Sequence, residues 1–165
     1  MGPEQHVMKR ILTIVLVMAL ASVAQAAAVA QIRLTAAEMS AREAGGAGAG
    51  TSGVAGIQTT VLSGDPTKPG LYTICLSIPA NTTIQAHTHR DDRSAVVMSG
   101  TWYFGYGSVA NAAATKPLPR GSFYTEPGGV AHFALTGAKP VVVYITGFGT
   151  TDTVYVNAAK DPRDK

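Results

Sequence analysis

Three of the four histidines, His87, His89 and His132, stand in two short patterns suited to holding a metal ion. The first is the run HTHRDDRSAVVMSG, from His87 to Gly100, and the second is GSFYTEPGGVAH, from Gly121 to His132. Residues two apart on a β-strand point to one face, so a strand carrying His87 and His89 presents both imidazoles together. A third imidazole from another strand completes a three-histidine set. Such a set suits Zn, Fe, Cu, Mn or Ni and leaves positions open for substrate or water. The fourth histidine, His6, falls in a segment that reads as a removed leader.

The elements that must position these residues are short and β-prone. Strands are expected at 57–62, 71–78, 83–89, 94–99, 101–106, 122–125, 131–135, 141–147 and 153–156. Gly64-Asp65-Pro66 and Lys68-Pro69-Gly70 are turn signals, Ser99-Gly100 reads as a tight hairpin, and 111–119 is expected to be a long loop. Nine short strands with little helix argue for an all-β sandwich or barrel of jelly-roll type. Ahead of them, Thr35-Ala36-Ala37-Glu38 matches a capping box, predicting a short helix from 36 to about 43. Residues 45–56 (GGAGAGTSGVAG) read as a mobile linker without phosphate-loop character. Among the aromatics, Trp102, Tyr103, Phe104 and Tyr106 should alternate between interior and exterior. Met98 and Phe133 read as core.

The chain opens on a targeting signal. Lys9-Arg10 precedes an apolar run at 11–23, and Ala24-Gln25-Ala26 is a small-x-small cleavage site. The run is too short to span a bilayer comfortably, so stable membrane insertion after cleavage is not expected. Met8 begins a complete bacterial-type signal, which makes the first seven residues look like a start-site extension ahead of Met8 rather than a true start at Met1. The organisation is thus a signal peptide at 1–26, an N-terminal segment at 27–56, a barrel at 57–157 and a C-terminal tail at 158–165, with a periplasmic or secreted product. Cleavage lowers the net charge from +3 to +2, too small and dispersed to suggest nucleic acid as partner. The single cysteine, Cys75, allows no internal disulfide and reads as a small buried apolar residue.

With both patterns in view, the chain resembles the cupin superfamily over 57–156. The superfamily's motifs are G(X)₅HXH(X)₃₋₄E(X)₆G and G(X)₅PXG(X)₂H(X)₃N. His87, His89 and Gly100 fall on the first, and Gly121, Pro127, Gly129 and His132 on the second. The resemblance implies a jelly-roll β-barrel with a short N-terminal helix, and a divalent transition metal held by His87, His89 and His132. It further implies dioxygenase, isomerase or lyase chemistry on a small organic molecule. A non-catalytic periplasmic module that captures a ligand or metal is the alternative. Cupins often pair through sheet edges or exchanged N-terminal segments, so residues 27–34 could add a strand to a second copy in a homodimer.

Two departures fall in the first motif. The opening glycine of the first motif is absent, and Arg93 occupies the position of the usual glutamate ligand. A guanidinium cannot ligate a metal or lose its proton in a protein. Arg93 then either reads the carboxylate of an anionic substrate, or cedes the ligand role to Asp92 or Asp91, or marks a barrel without metal. As a plain surface residue it would pair with Asp91 or Asp92. Tyr103 and Tyr124 are candidate pocket hydroxyls for substrate, and Glu126 could serve as a base if it faced the barrel interior but is expected at the exposed rim.

Overall fold

The computed structural model describes residues 30–164, so the expected leader at 1–26 lies outside the described residues. One short helix, α1 (Ala36–Ser40), precedes ten strands. These are β1 (Gln58–Ser63), β2 (Gly70–Ile78), β3 (Thr83–Thr88), β4 (Arg93–Ser99), β5 (Thr101–Tyr106), β6 (Lys116–Pro119), β7 (Phe123–Glu126), β8 (His132–Thr136), β9 (Val141–Gly149) and β10 (Val154–Tyr155). They form two antiparallel five-stranded sheets, ordered β1-β2-β9-β4-β7 and β10-β3-β8-β5-β6. The fold is an all-β jelly roll. No described helix is long and apolar enough to cross a membrane.

Strand alternation builds the core. In β2, Tyr72, Ile74, Leu76 and Ile78 point inward, and in β9, Val141, Val143 and Ile145 face the same interior. Trp102 and Phe104 of β5 close the core from the other sheet, while Tyr103 and Tyr106 face solvent. Phe133 is buried as expected, but Met98 is not, because its strand parity places it outside with Val96. Cys75 likewise lies on the outward side of β2, half-buried, and burial pushes its thiol pKa up. Asn81 stands where the first motif lacks its glycine, and its φ of 56° is left-handed. Asparagine tolerates that region better than other side chains, which accounts for the turn surviving without glycine. At Gly100 the hairpin needs a φ of 76°, and a Cβ there would sit 2.4 Å from the Pro140 carbonyl oxygen.

Three expectations are corrected. The loop expected at 111–119 contains β6, whose two prolines are tolerated because it is an edge strand. The helix has its capping box but ends at Ser40, short of 43, and buries none of its residues. Just beyond it, Arg42 Nη1 donates to the carbonyls of Val61 (2.9 Å) and Leu62 (3.0 Å), tying the chain after the helix to β1. The Gly/Ala-rich segment is not a free linker. Gly45 bridges to Thr59, and Gly50, Thr51 and Ser52 are buried against the barrel.

The two faces of the first sheet predict opposite sensitivities. Ile74 is 0% exposed and Met98 37% exposed. Ile74→Ala should cost about 2–5 kcal/mol and Met98→Ala less than about 1 kcal/mol, as read by denaturant unfolding. Equal losses would contradict the assigned strand parity.

Candidate metal centre

A bulge in β3 aims the histidines. Ile84 pairs with Ala134 and His87 with His132, so β3 carries one more residue than β8 between these pairs. The extra residue rephases the strand, turning His87 inward beside His132. His89 lies one residue past the end of β3 yet turns to the same side. All three imidazoles are buried, and one nitrogen from each lies within 4.8 Å of the others.

Backbone carbonyls fix the rings. Nδ1 of His87 meets the Gln85 carbonyl oxygen at 2.7 Å, that of His89 meets Asp152 at 2.5 Å, and that of His132 meets Val130 at 3.0 Å. A carbonyl only accepts, so each Nδ1 carries the proton and each Nε2 keeps its lone pair. Nε2 of His89 and of His132 is buried with no hydrogen-bond partner among the described residues. Buried polar atoms are rarely left so, and a carbonyl-oriented imidazole is the usual support of a metal-ligating histidine. The donor set therefore fits a divalent transition metal.

Arg93 faces neither solvent nor the aspartates. Its Nε donates to Glu126 Oε2 at 2.6 Å, its Nη2 contacts the same oxygen, and Nη1 donates to the Gly50 carbonyl at 2.6 Å. The side chains of Arg93 and Glu126 are only 3% and 6% exposed. This corrects Glu126 from the rim to the interior. Phe123 to Glu126 alternate exposed and buried, so inward Tyr124 carries Glu126 inward with it. Glu126 Oε2 also lies 3.8 Å from Nε2 of both His89 and His132.

The other candidates divide. Asp91 is buried but accepts from the Tyr72 hydroxyl at 2.6 Å, and exposed Asp92 accepts from the Gly128 amide at 2.8 Å. Neither joins the histidine cluster. Tyr103 is on the outer face, away from the cavity, whereas the Tyr124 hydroxyl is buried and lines it. Arg93 is already engaged by Glu126 and Gly50, so it presents no free guanidinium to an anionic substrate.

The cavity is small, with free space of about 20 Å³, room for roughly one water. Leu76, Ile84, Val143 and Ile145 contribute apolar walls. Residues 50–52 cover it through three carbonyls. Gly50 accepts from Arg93, Thr51 from the Thr153 hydroxyl at 2.9 Å, and Ser52 from the Tyr155 hydroxyl at 2.5 Å. Sequence reasoning missed this cover because backbone carbonyls leave no residue-type signal.

No known family model matches the sequence, and no curated protein matches it. Solved structures do match its fold. The polyketide cyclase RemF from Streptomyces resistomycificus aligns at TM-score 0.64 and 15% identity, covering 82% of this chain and 92% of that one. An RmlC-like cupin from Shewanella frigidimarina aligns at TM-score 0.51 and 16% identity, covering 66% and 85%. The chain has a cupin fold. Within that cupin fold, the histidines of the two motifs meet where the expected metal would lie, and the acidic group beside them is Glu126.

The electrostatics carry a pH signature. Burial pushes His87 down to about 4, and burial with the Arg93 charge pushes His89 down to about 2. Burial lowers His132 as well. For Glu126, burial acts to raise the pKa, but the Arg93 guanidinium outweighs it and holds the carboxyl below its usual range. Histidine in the unfolded chain takes up a proton near pH 6.5, while the folded chain resists, so acid favours unfolding. Stability of the metal-free protein is full above about pH 6.5 and is lost as pH falls toward the folded values. Between pH 7 and pH 5 the loss should be roughly 2–4 kcal/mol, seen as a falling thermal midpoint, and His89→Gln should flatten it. A midpoint independent of pH over that range would contradict the buried neutral imidazoles.

Proposed function

We propose that this protein is an exported metal-binding cupin-fold protein in which His87, His89 and His132 hold one divalent transition metal, and that it acts on a small organic molecule. One observation carries the metal reading: three buried imidazoles, each with Nδ1 on a backbone carbonyl, bring one nitrogen apiece to within 4.8 Å of the others. A bound metal supplies a Lewis-acidic or redox centre of the kind used in dioxygenase, isomerase or lyase chemistry. The chain's own residues do the rest. The buried Tyr124 hydroxyl offers a hydrogen bond to a bound molecule, and the apolar walls exclude water from it. With room for only about one water, the cavity admits an organic molecule once residues 50–52 move aside. The cyclase among the fold neighbours supports a small organic substrate.

The closed cavity favours a second reading, a periplasmic module that holds a metal or small ligand without turnover. Azide added to the cobalt(II) form separates the two. A shifted absorption spectrum indicates an open coordination position for substrate, and an unshifted one favours the binding module. The signal read at 1–26 supports export, and the exposed segment at 30–33, which joins no sheet, supports a homodimer. Signal-peptide processing and light scattering test these.

Protein purified without a histidine tag should carry close to one equivalent of a transition metal. A His87→Ala, His132→Ala double variant should lose it, and with it thermal stability. Less than about a tenth of an equivalent, unchanged by reconstitution, contradicts the metal reading.

A further inference from the structure

The carboxylate beside the histidines belongs to the strand next to the one where the motif would place it. Arg93 and Glu126 are direct register partners on adjacent strands β4 and β7, and both side chains point into the barrel. An acidic residue at either position reaches the same cavity, displaced by about one strand spacing of 4.8 Å. We propose that Glu126 is the fourth protein ligand of the metal, the acidic role having passed across the β4–β7 pair, with Arg93 as its counter-charge. This rests on the three-histidine reading above and adds a ligand to it.

Distance and valence support the assignment. Imidazole nitrogens and a carboxylate oxygen sit about 2.0–2.2 Å from a transition-metal ion, which puts neighbouring ligand atoms about 3.0–3.3 Å apart, the smaller spacing being the one that leaves positions open beside four protein ligands. Glu126 Oε2 is 3.8 Å from Nε2 of both His89 and His132, within about an ångström of ligand spacing on that side, while it stands farther from His87, so closure onto an ion moves the carboxylate toward all three rings. Neither of those nitrogens has another partner among the described residues. A carboxylate offers about four lone-pair sites on its two oxygens, so acceptance from Arg93 leaves it able to ligate. The guanidinium is turned to Glu126 and the Gly50 carbonyl, so the carboxylate offsets part of its charge at the histidine cluster. Of the other nearby carboxyls, Asp91 is held by Tyr72 and Asp92 by the Gly128 amide.

The pair also links the metal to the cover. Arg93 touches the ligand through Nε and Nη2 and residue 50 through Nη1. Arg93 is thus a positioning residue between the ion and the segment that must open.

Removing Glu126 alone strands a buried guanidinium and can unfold the chain, so the test removes the pair together. Arg93→Met with Glu126→Leu keeps the net charge near the site at its wild-type value and removes the ligand together with its counter-charge and the Gly50 contact, so Arg93→Met with Glu126→Gln serves as the second variant that keeps an oxygen at the ligand position. Cobalt(II) binding to tag-free, metal-stripped protein is followed by calorimetry and by the visible absorption of the bound ion. The Glu126→Leu double variant should fold, bind cobalt at least tenfold more weakly and show altered absorption bands. Wild-type affinity with wild-type bands in that double variant overturns Glu126 as a ligand. With His132→Ala alongside, that result leaves the histidine site standing if His132→Ala loses cobalt. Failure of the wild-type protein itself to bind cobalt overturns both readings.

Discussion

A guanidinium and a carboxylate are both withdrawn from water where Arg93 meets Glu126, and their mutual compensation makes the closed end of the barrel physically possible. Breaking such a buried pair on one side typically costs about 3–5 kcal/mol, because the partner is left as an unpaired charge. The rest of the site is arranged around this pair. Its acidic end faces His89 and His132, and its basic end holds the Gly50 carbonyl of the covering segment. The pair thus faces the proposed metal on one side and the cover on the other.

The constraint also explains why the interior stays polar at one end only. Below the histidines the cavity is walled by Leu76, Ile84, Val143 and Ile145, and beyond them lies the apolar core. Polar groups concentrate where carbonyls can satisfy them: Gln85, Val130 and Asp152 for the imidazoles, and Gly50, Thr51 and Ser52 outward. Nε2 of His89 and of His132 are among the buried polar atoms left without partners, with Trp102 Nε1 and the Tyr124 hydroxyl at the same cavity, and an ion would satisfy the two imidazole nitrogens.

Much of this was legible in the sequence, and the limits have physical causes. The strand positions followed from alternation and turn residues, and the histidine spacing pointed to one pocket. The bulge that turns His87 inward was not visible, because nothing in Ile84-Gln85-Ala86 marks an extra residue. Glu126 was misplaced at the rim although the step of two from Tyr124 would have carried it inward. What no local pattern encodes is that β7 pairs with β4 in the register that sets Glu126 opposite Arg93. The strand β6 was hidden by its prolines, and the segment at 45–56 by a composition that reads as linker. That segment is held through its backbone, which every sequence shares.

Anomalous diffraction from a crystal of the metal-loaded protein tests the central claim most directly, since it locates the ion relative to every donor at once. The account predicts a single peak about 2.0–2.2 Å from Nε2 of His87, His89 and His132 and from Glu126 Oε2. A peak bound elsewhere, or no peak between the three imidazoles in metal-saturated crystals, would contradict it.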